Sequence, residues 1–299
     1  GSRMQAIGAI METLPLNPNA SQAWLLLGQM SVESFQFEKA ASCVEKLREI
    51  NPQHLLADIL EIRSYLAQRD ISAVPAILEA AQKRYPTQRD LLALEAAMHA
   101  MQFDHAQLDK TLAKFEEISP GNPLALATAG EFLSFARQYD WGEQLLRKAI
   151  AMQPNWPKPR SELALLLMQA GRDDQAYGEL EKAAKLDPFH KQVQNQLELA
   201  QEMKGFLTAR TDHFSIIYPP GPDEALALDM TVMLDDIYNT VTTSFSHQPR
   251  NITQIQIMPN ERWFGVRITG IPEIWTIAAC TGDVIAMTPP KTGARQRGA

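Results

Sequence analysis

Residues 21–54 read SQAWLLLGQMSVESFQFEKAASCVEKLREINPQH, and the proline near the end of this stretch decides the fold. Pro52 has counterparts at 34-residue intervals in both directions, giving Pro18, Pro52, Pro86, Pro120, Pro154 and Pro188. Five equal spacings in a chain with 19 prolines among 299 residues identify an internal repeat. Proline lacks the backbone donor that a helix interior needs, and it biases the residue before it away from helical geometry. The repeat unit therefore reads as a helix-turn-helix hairpin that ends at each proline. Each hairpin leaves an apolar face that only its neighbours can cover, so the copies stack into a superhelix with a concave surface.

In the stretch 21–54, Trp24 supplies a bulky anchor, followed by Leu27, Gly28, Ala40 and Pro52, with small residues where two helices must approach. This pattern resembles the tetratricopeptide (TPR) repeat, whose period is about 34 residues. Leu163, Ala164, Gly171, Ala176, Ala183 and Pro188 repeat the scheme in the last copy. The middle copies depart from it: Glu61 and Glu95 take the usual leucine position, although Tyr65 and Phe115 suit a core. The array runs over residues 4–204 as about five and a half hairpins, with the polar stretch 191–204 (KQVQNQLELAQEMK) as a capping helix. Residues 4–14 read as only the second helix of a repeat, with the expectation that the chain begins inside a longer protein.

The resemblance implies that the first helix of each unit faces the groove. By register, that face comprises Gln22, Leu25 and Gln29, then Leu56, Ile59 and Arg63, then Asp90, Ala93, Ala97 and Met101. It continues through Leu124, Ala127, Glu131 and Phe135 to Lys158, Ser161 and Leu165. A surface rich in Leu, Ala, Met and Phe suits an amphipathic helix or extended peptide, oriented by Arg63 and Glu131. The same side chains equally suit packing against neighbouring hairpins. The Lys and Asn pair with which chaperone-binding TPR proteins clamp a carboxylate is replaced by Leu25 and Gln29, and then by Ile59 and Arg63. No carboxylate clamp is expected.

Composition narrows the partners further. A net charge of -7 and a pI near 5.5 argue against a nucleic-acid backbone. The one basic cluster, Lys291, Arg295 and Arg297, reads as a solvated tail. No apolar run approaches the roughly 20 residues of a membrane span. Cys43 and Cys280 are the only cysteines, and neither has a second ligand at metal-binding spacing. The expected partner is a protein or peptide.

After Gly205 the proline period stops. Residues 213–218 (HFSIIY) read as a strand, 222–245 as an amphipathic helix with Asp223 and Glu224 in its first turn, and 251–258 (NITQIQIM) as a half-buried strand. Residues 274–279 and 283–287 flank Cys280-Thr281-Gly282 as a short hairpin. The expected order over 205–299 is β-α-β-β-β, a small and incomplete α/β segment. With QIQIMPNERWF and GDVIAMTPP, residues 206–290 resemble the front half of a gluzincin-like peptidase MA domain.

In that family the chemistry sits on a later helix bearing H-E-x-x-H, where two histidines one turn apart bind zinc. None of His54, His99, His105, His190, His213 and His247 is followed by Glu or paired with another His four residues on. Two readings stand: a fragment of a TPR-fused zinc metallopeptidase, or a non-catalytic α/β cap. Neither gives this chain a catalyst, and no cofactor is expected. Phosphate-binding glycine loops and the G-x-S-x-G nucleophile turn are also absent. Asp229, Asp235 and Asp236 form an acidic group on the long helix and read as a solvated face.

Overall fold

The computed structural model describes residues 3–272 and 276–288. Contacts divide the chain into two compact units between Gln153 and Pro154. The change in residue pattern at 204/205 and this division of contacts do not coincide, because the last helices pack with the sheet that follows them. The basic cluster at 291–297 and the first two residues of the strand expected at 274–279 lie outside the described residues.

The first unit holds nine helices among the described residues: α1 (Arg3–Leu16), α2 (Ser21–Glu33), α3 (Phe37–Ile50), α4 (Leu55–Gln68), α5 (Val74–Arg84), α6 (Arg89–Met101), α7 (His105–Ile118), α8 (Leu124–Phe135) and α9 (Tyr139–Met152). A 3-10 turn, Ile71–Ala73, leads into α5. The second helix of every hairpin stops two residues before its proline. The residue between has left the helical region, as at Asn51 (φ -148°) and Ser119 (φ -139°), because the proline ring bars the helical conformation there.

A second 34-residue period appears only in the backbone. The turn inside each hairpin is closed by a left-handed residue: Phe35, Arg69, Phe103, Arg137 and, in the second unit, Gly171. Only the last of these is the glycine that favours this conformation.

The first helices follow one another, α2 against α4, α4 against α6 and α6 against α8. Gly28 allows one such approach, since a Cβ there would stand 2.4 Å from Leu60 Cδ2. Three apolar clusters run along the unit: Leu25, Leu27, Val44, Leu47 and Leu60; then Ile62, Leu66, Leu91, Leu94 and Phe132; then Leu92, Leu108, Phe115, Leu133 and Leu145. The departures at Glu61 and Glu95 are answered by polar partners 13 residues upstream. Arg48 meets Glu61 at 2.5 Å and Gln82 meets Glu95 at 2.8 Å.

The second unit begins with α10 (Pro157–Gln169), α11 (Asp173–Leu186) and α12 (Lys191–Met203). Where the period would start another second helix, the chain enters β1 (Leu207–Arg210) instead. There follow β2 (Phe214–Tyr218), α13 (Asp223–Phe245), β3 (Thr253–Ile257), α14 (Glu261–Thr269), β4 (Ala278–Cys280) and β5 (Val284–Met287). The order is therefore β-β-α-β-α-β-β, which corrects the expected β-α-β-β-β at two places. β1 is too short to show a period, and it forms because it pairs antiparallel with β2. α14 was concealed in QIQIMPNERWF; Asn260 caps it by accepting from the Trp263 backbone at 3.0 Å, and Gly270 (φ 77°) closes it.

The sheet order is β1-β2-β3-β5-β4, parallel at β2-β3 and β3-β5 and antiparallel at both edges. One face carries Phe214, Ile216, Tyr218, Ile255 and Ile257, covered by Ala227 and Leu234 of α13.

The other face is buried too. Gln256, read as an outward residue of a half-buried strand, is 0% exposed. Its amide donates to Asp173 at 2.9 Å, and its oxygen accepts from Arg267 at 2.5 Å. Arg267, 1% exposed, also donates to the Met168 carbonyl at 2.6 Å and pairs with Asp173 at 3.1 Å. Gln254 donates to the Gly171 carbonyl at 3.0 Å and Thr281 to that of Gln169 at 2.9 Å. The turn of the α10–α11 hairpin is thus locked onto the sheet by hydrogen bonds.

Strain at the left-handed turns is measurable. Arg69 and Arg137 are exposed, so Arg69→Gly and Arg137→Gly remove a backbone penalty of about 1–2 kcal/mol each while adding freedom to the unfolded chain. Each is expected to stabilise by about 0.5–1 kcal/mol in urea titration. Arg69→Val, β-branched at a positive φ, is expected to destabilise, and a stabilising valine would show that the turn is not held left-handed.

Candidate functional site

The residues assigned by register to the inner face of the first helices differ widely in exposure. On α2, Gln22 and Gln29 are exposed, whereas Leu25 between them is buried with Ile10, Leu14 and Val44. Leu56 and Ile59 on α4 are half-buried, the former packed against the first apolar cluster and the latter against the second. Arg63 is likewise half-buried.

The middle of the face is closed. α4 touches α8 as well as α6. Ala93, Ala97 and Met101 of α6, and Ala127 of α8, are consequently buried, and Phe135 packs half-buried against the same cluster as Ala97 and Met101. Buried side chains of this kind offer a partner no surface.

Glu131, one of the two charges expected to orient a partner, is also buried and forms an ion pair with Arg63 across the α4–α8 contact. The Arg63 guanidinium lies over the Phe132 ring, 5.2 Å from its centroid. Asp90 and Leu124 are half-buried, with Asp90 accepting from Gln88 at 2.8 Å. Lys158, Ser161 and Leu165 are half-buried on α10 in the second unit, where Ser161 donates to the Lys158 carbonyl at 2.8 Å.

A charged network in the first unit escaped the reading of the sequence. Asp58, 2% exposed, accepts from Arg48 at 2.9 Å and from Arg84 at 2.7 Å, tying α3 and α5 to α4. The legible signal was Glu61 at a leucine position, since a half-buried carboxylate there calls for a cation within reach. Cys43 is buried in the same region, and burial pushes its thiol up to about 11 against the opposing pull of Lys39.

In the second unit, Asp235 stands apart from Asp229 and Asp236. Its carboxylate accepts from the Thr211 hydroxyl at 2.9 Å and from the backbone amides of Asp212 and His213, and it meets His213 Nδ1 at 3.0 Å. Desolvation works against the charged form, but these donors outweigh it and hold the carboxyl below its ordinary value. His213 stacks on Tyr238 with ring centroids 3.7 Å apart. The arrangement fastens the β1–β2 turn to α13.

Among the described residues, no group of three or more His, Cys, Asp or Glu is placed to hold a metal ion. His213, His247 and Cys280 are not brought together as one such group among the described residues. No described helix is long and apolar enough to cross a membrane.

The Arg63–Glu131 pair carries its own test. Arg63→Ala leaves a largely buried carboxylate without its cation, at an expected cost of about 2 kcal/mol, less than for a fully buried pair because Arg63 is partly solvated. The double variant Arg63→Met with Glu131→Leu is expected to recover most of that loss in urea denaturation, and strictly additive losses would show that the two do not interact.

No family model matches this sequence, and no curated protein does. Among solved structures the chain is similar to yeast Tom70, at 16% identity and a TM-score of 0.42, over 67% of this chain and 43% of that one. It is similar to TTC0263, a thermophilic TPR protein of Thermus thermophilus, at 21% identity and a TM-score of 0.43, over 61% and 99% of the two chains. A third likeness, at 14% identity and a TM-score of 0.35 over 61% and 94%, is to YrrB, a TPR protein with an unusual peptide-binding site. This chain thus spans less than half of Tom70. At such scores the likeness carries no argument, and the fold class rests on the hairpins themselves: a TPR-like α-solenoid followed by a small five-stranded α/β segment.

Proposed function

We propose that the first unit is a protein-interaction scaffold that holds a peptide or helix of another protein along the outer part of its first-helix face. The observation that carries this reading is the split character of the face. Ala97, Met101 and Glu131 are sealed, while Gln22 and Gln29 of α2 and Leu56, Ile59 and Arg63 of α4 keep accessible surface on adjacent helices. Amide side chains beside half-exposed aliphatic ones suit a segment that offers apolar anchors and backbone hydrogen-bonding groups. Phe135 of α8, half-buried at the edge of the closed middle, adds an aromatic ring to this face.

Peptides selected against the immobilised protein from a random library test this reading. Their affinity is expected to fall at least about ten-fold in the double variant Gln29→Asp, Leu56→Ser, with helicity and melting temperature nearly unchanged. Equal affinity for wild type and variant would remove the face from consideration.

We also propose that the chain works without a bound metal or cofactor. Residues 206–290 contain no H-E-x-x-H pair, and the Nδ1 of His213 is engaged by Asp235. A zinc centre needs about three protein ligands around one open position. Protein dialysed against a weak chelator is expected to retain less than about 0.1 zinc per chain, and a value near one per chain would overturn the proposal.

A further inference from the structure

α13 covers the sheet with Ala227 and Leu234, packed alongside Leu226, Met230 and Tyr238. Its opposite side is not the polar surface of an ordinary covering helix. Leu228 and Val232, one turn apart, are 51% and 81% exposed. Beside them runs a second row at the same spacing: Met233, Ile237, Val241 and Phe245, exposed by 54%, 47%, 47% and 78%. Residues four apart are neighbours on a helix surface, so these six side chains form two adjoining apolar ridges that together span about 25 Å. Asp236 continues the first ridge, and Asp229 precedes the second.

The charge along this stretch of chain has one sign, with Arg210 and Arg250 flanking it. Residues 211–249 contain Asp212, Asp223, Glu224, Asp229, Asp235 and Asp236 and no lysine or arginine. An apolar partner without charge would desolvate Asp229 and Asp236 uncompensated, and an acidic one would add repulsion. A second copy of this chain would set the same acids against each other, and an anionic lipid surface would be repelled.

We propose that the outer face of α13 is a docking surface for an amphipathic helix of another protein whose apolar stripe is bordered by lysine or arginine. The apolar ridges supply the contact area, and the carboxylates at their ends fix orientation and exclude acidic competitors. This surface lies in the second unit and is independent of the peptide-holding face proposed for the first.

The test uses the full chain and two labelled synthetic helical peptides of about 18 residues that share one leucine stripe, bordered by lysine in the first and by glutamate in the second. Fluorescence anisotropy is expected to show binding of the lysine peptide alone, weakening as salt rises from about 50 to about 500 mM. The variant Val232→Ser, Ile237→Ser keeps every charge and is expected to lose at least about ten-fold in affinity, whereas Gln29→Asp, Leu56→Ser loses nothing. Equal binding by the wild type and the serine variant would reduce the effect to net charge and overturn the proposal. Sedimentation showing a dimer that the serine variant abolishes would assign the face to a second copy. Tighter peptide binding after removal of residues 289–299 would assign it to the chain's own basic tail.

Discussion

Arg267 is the charge around which the C-terminal unit is organised. A guanidinium taken fully out of water costs several kcal/mol unless its donors and charge are answered. Asp173 answers the charge, while the oxygen of Gln256 and the carbonyl of Met168 take hydrogen bonds. These partners belong to a helical turn and a central strand distant in sequence, so satisfying one side chain fixes hairpin and sheet together. Asp173 also opens α11, where the helix dipole favours a carboxylate. Gly171 completes the fit: its φ of 72° suits glycine, and a Cβ there would lie 2.7 Å from Gln254 and 2.9 Å from Val284.

In the first unit the governing constraint is steric and repeated. Each proline ends a helix two residues upstream, each hairpin turn closes through a left-handed residue, and the interval between them admits hairpins of one length. Stacking then follows from apolar surface that a lone hairpin cannot cover. Charges enter where that surface is interrupted. Glu61 with Arg48, and Glu95 with Gln82, stand at positions where two copies depart from the pattern, and Asp58 joins Arg48 to Arg84 beside them.

Closure of the inner face has the same origin. α6 is lined with alanine and short apolar residues, which lets α4 and α8 meet across it and brings Arg63 to Glu131. A charge pair that register alone would place in a groove therefore serves as a contact between helices. The accessible remainder, on α2 and α4, is smaller and more polar than the face as a whole. On α13, by contrast, the exposed surface exceeds what the sheet requires of its covering helix.

The sequence by itself determined the helical hairpins, because proline and small residues act locally and their spacing survives in one dimension. It also determined α13 and the strands β2, β3 and β5, whose apolar residues follow their own period. Tertiary structure alone decided the rest. β1 exists only through its pairing with β2, and the four residues 207–210 carry no period of their own. The alternation in TQIQI marks one buried face, yet Gln254 and Gln256 face a second protein layer, and residue type cannot distinguish an amide bonded to water from one bonded to a buried arginine. The same limit governs the candidate site: register assigned Arg63, Ala97, Met101 and Glu131 to one side of the array, but whether that side stays open depends on how closely α4 and α8 approach. That distance is set by the packing of α6 and is written in no single residue.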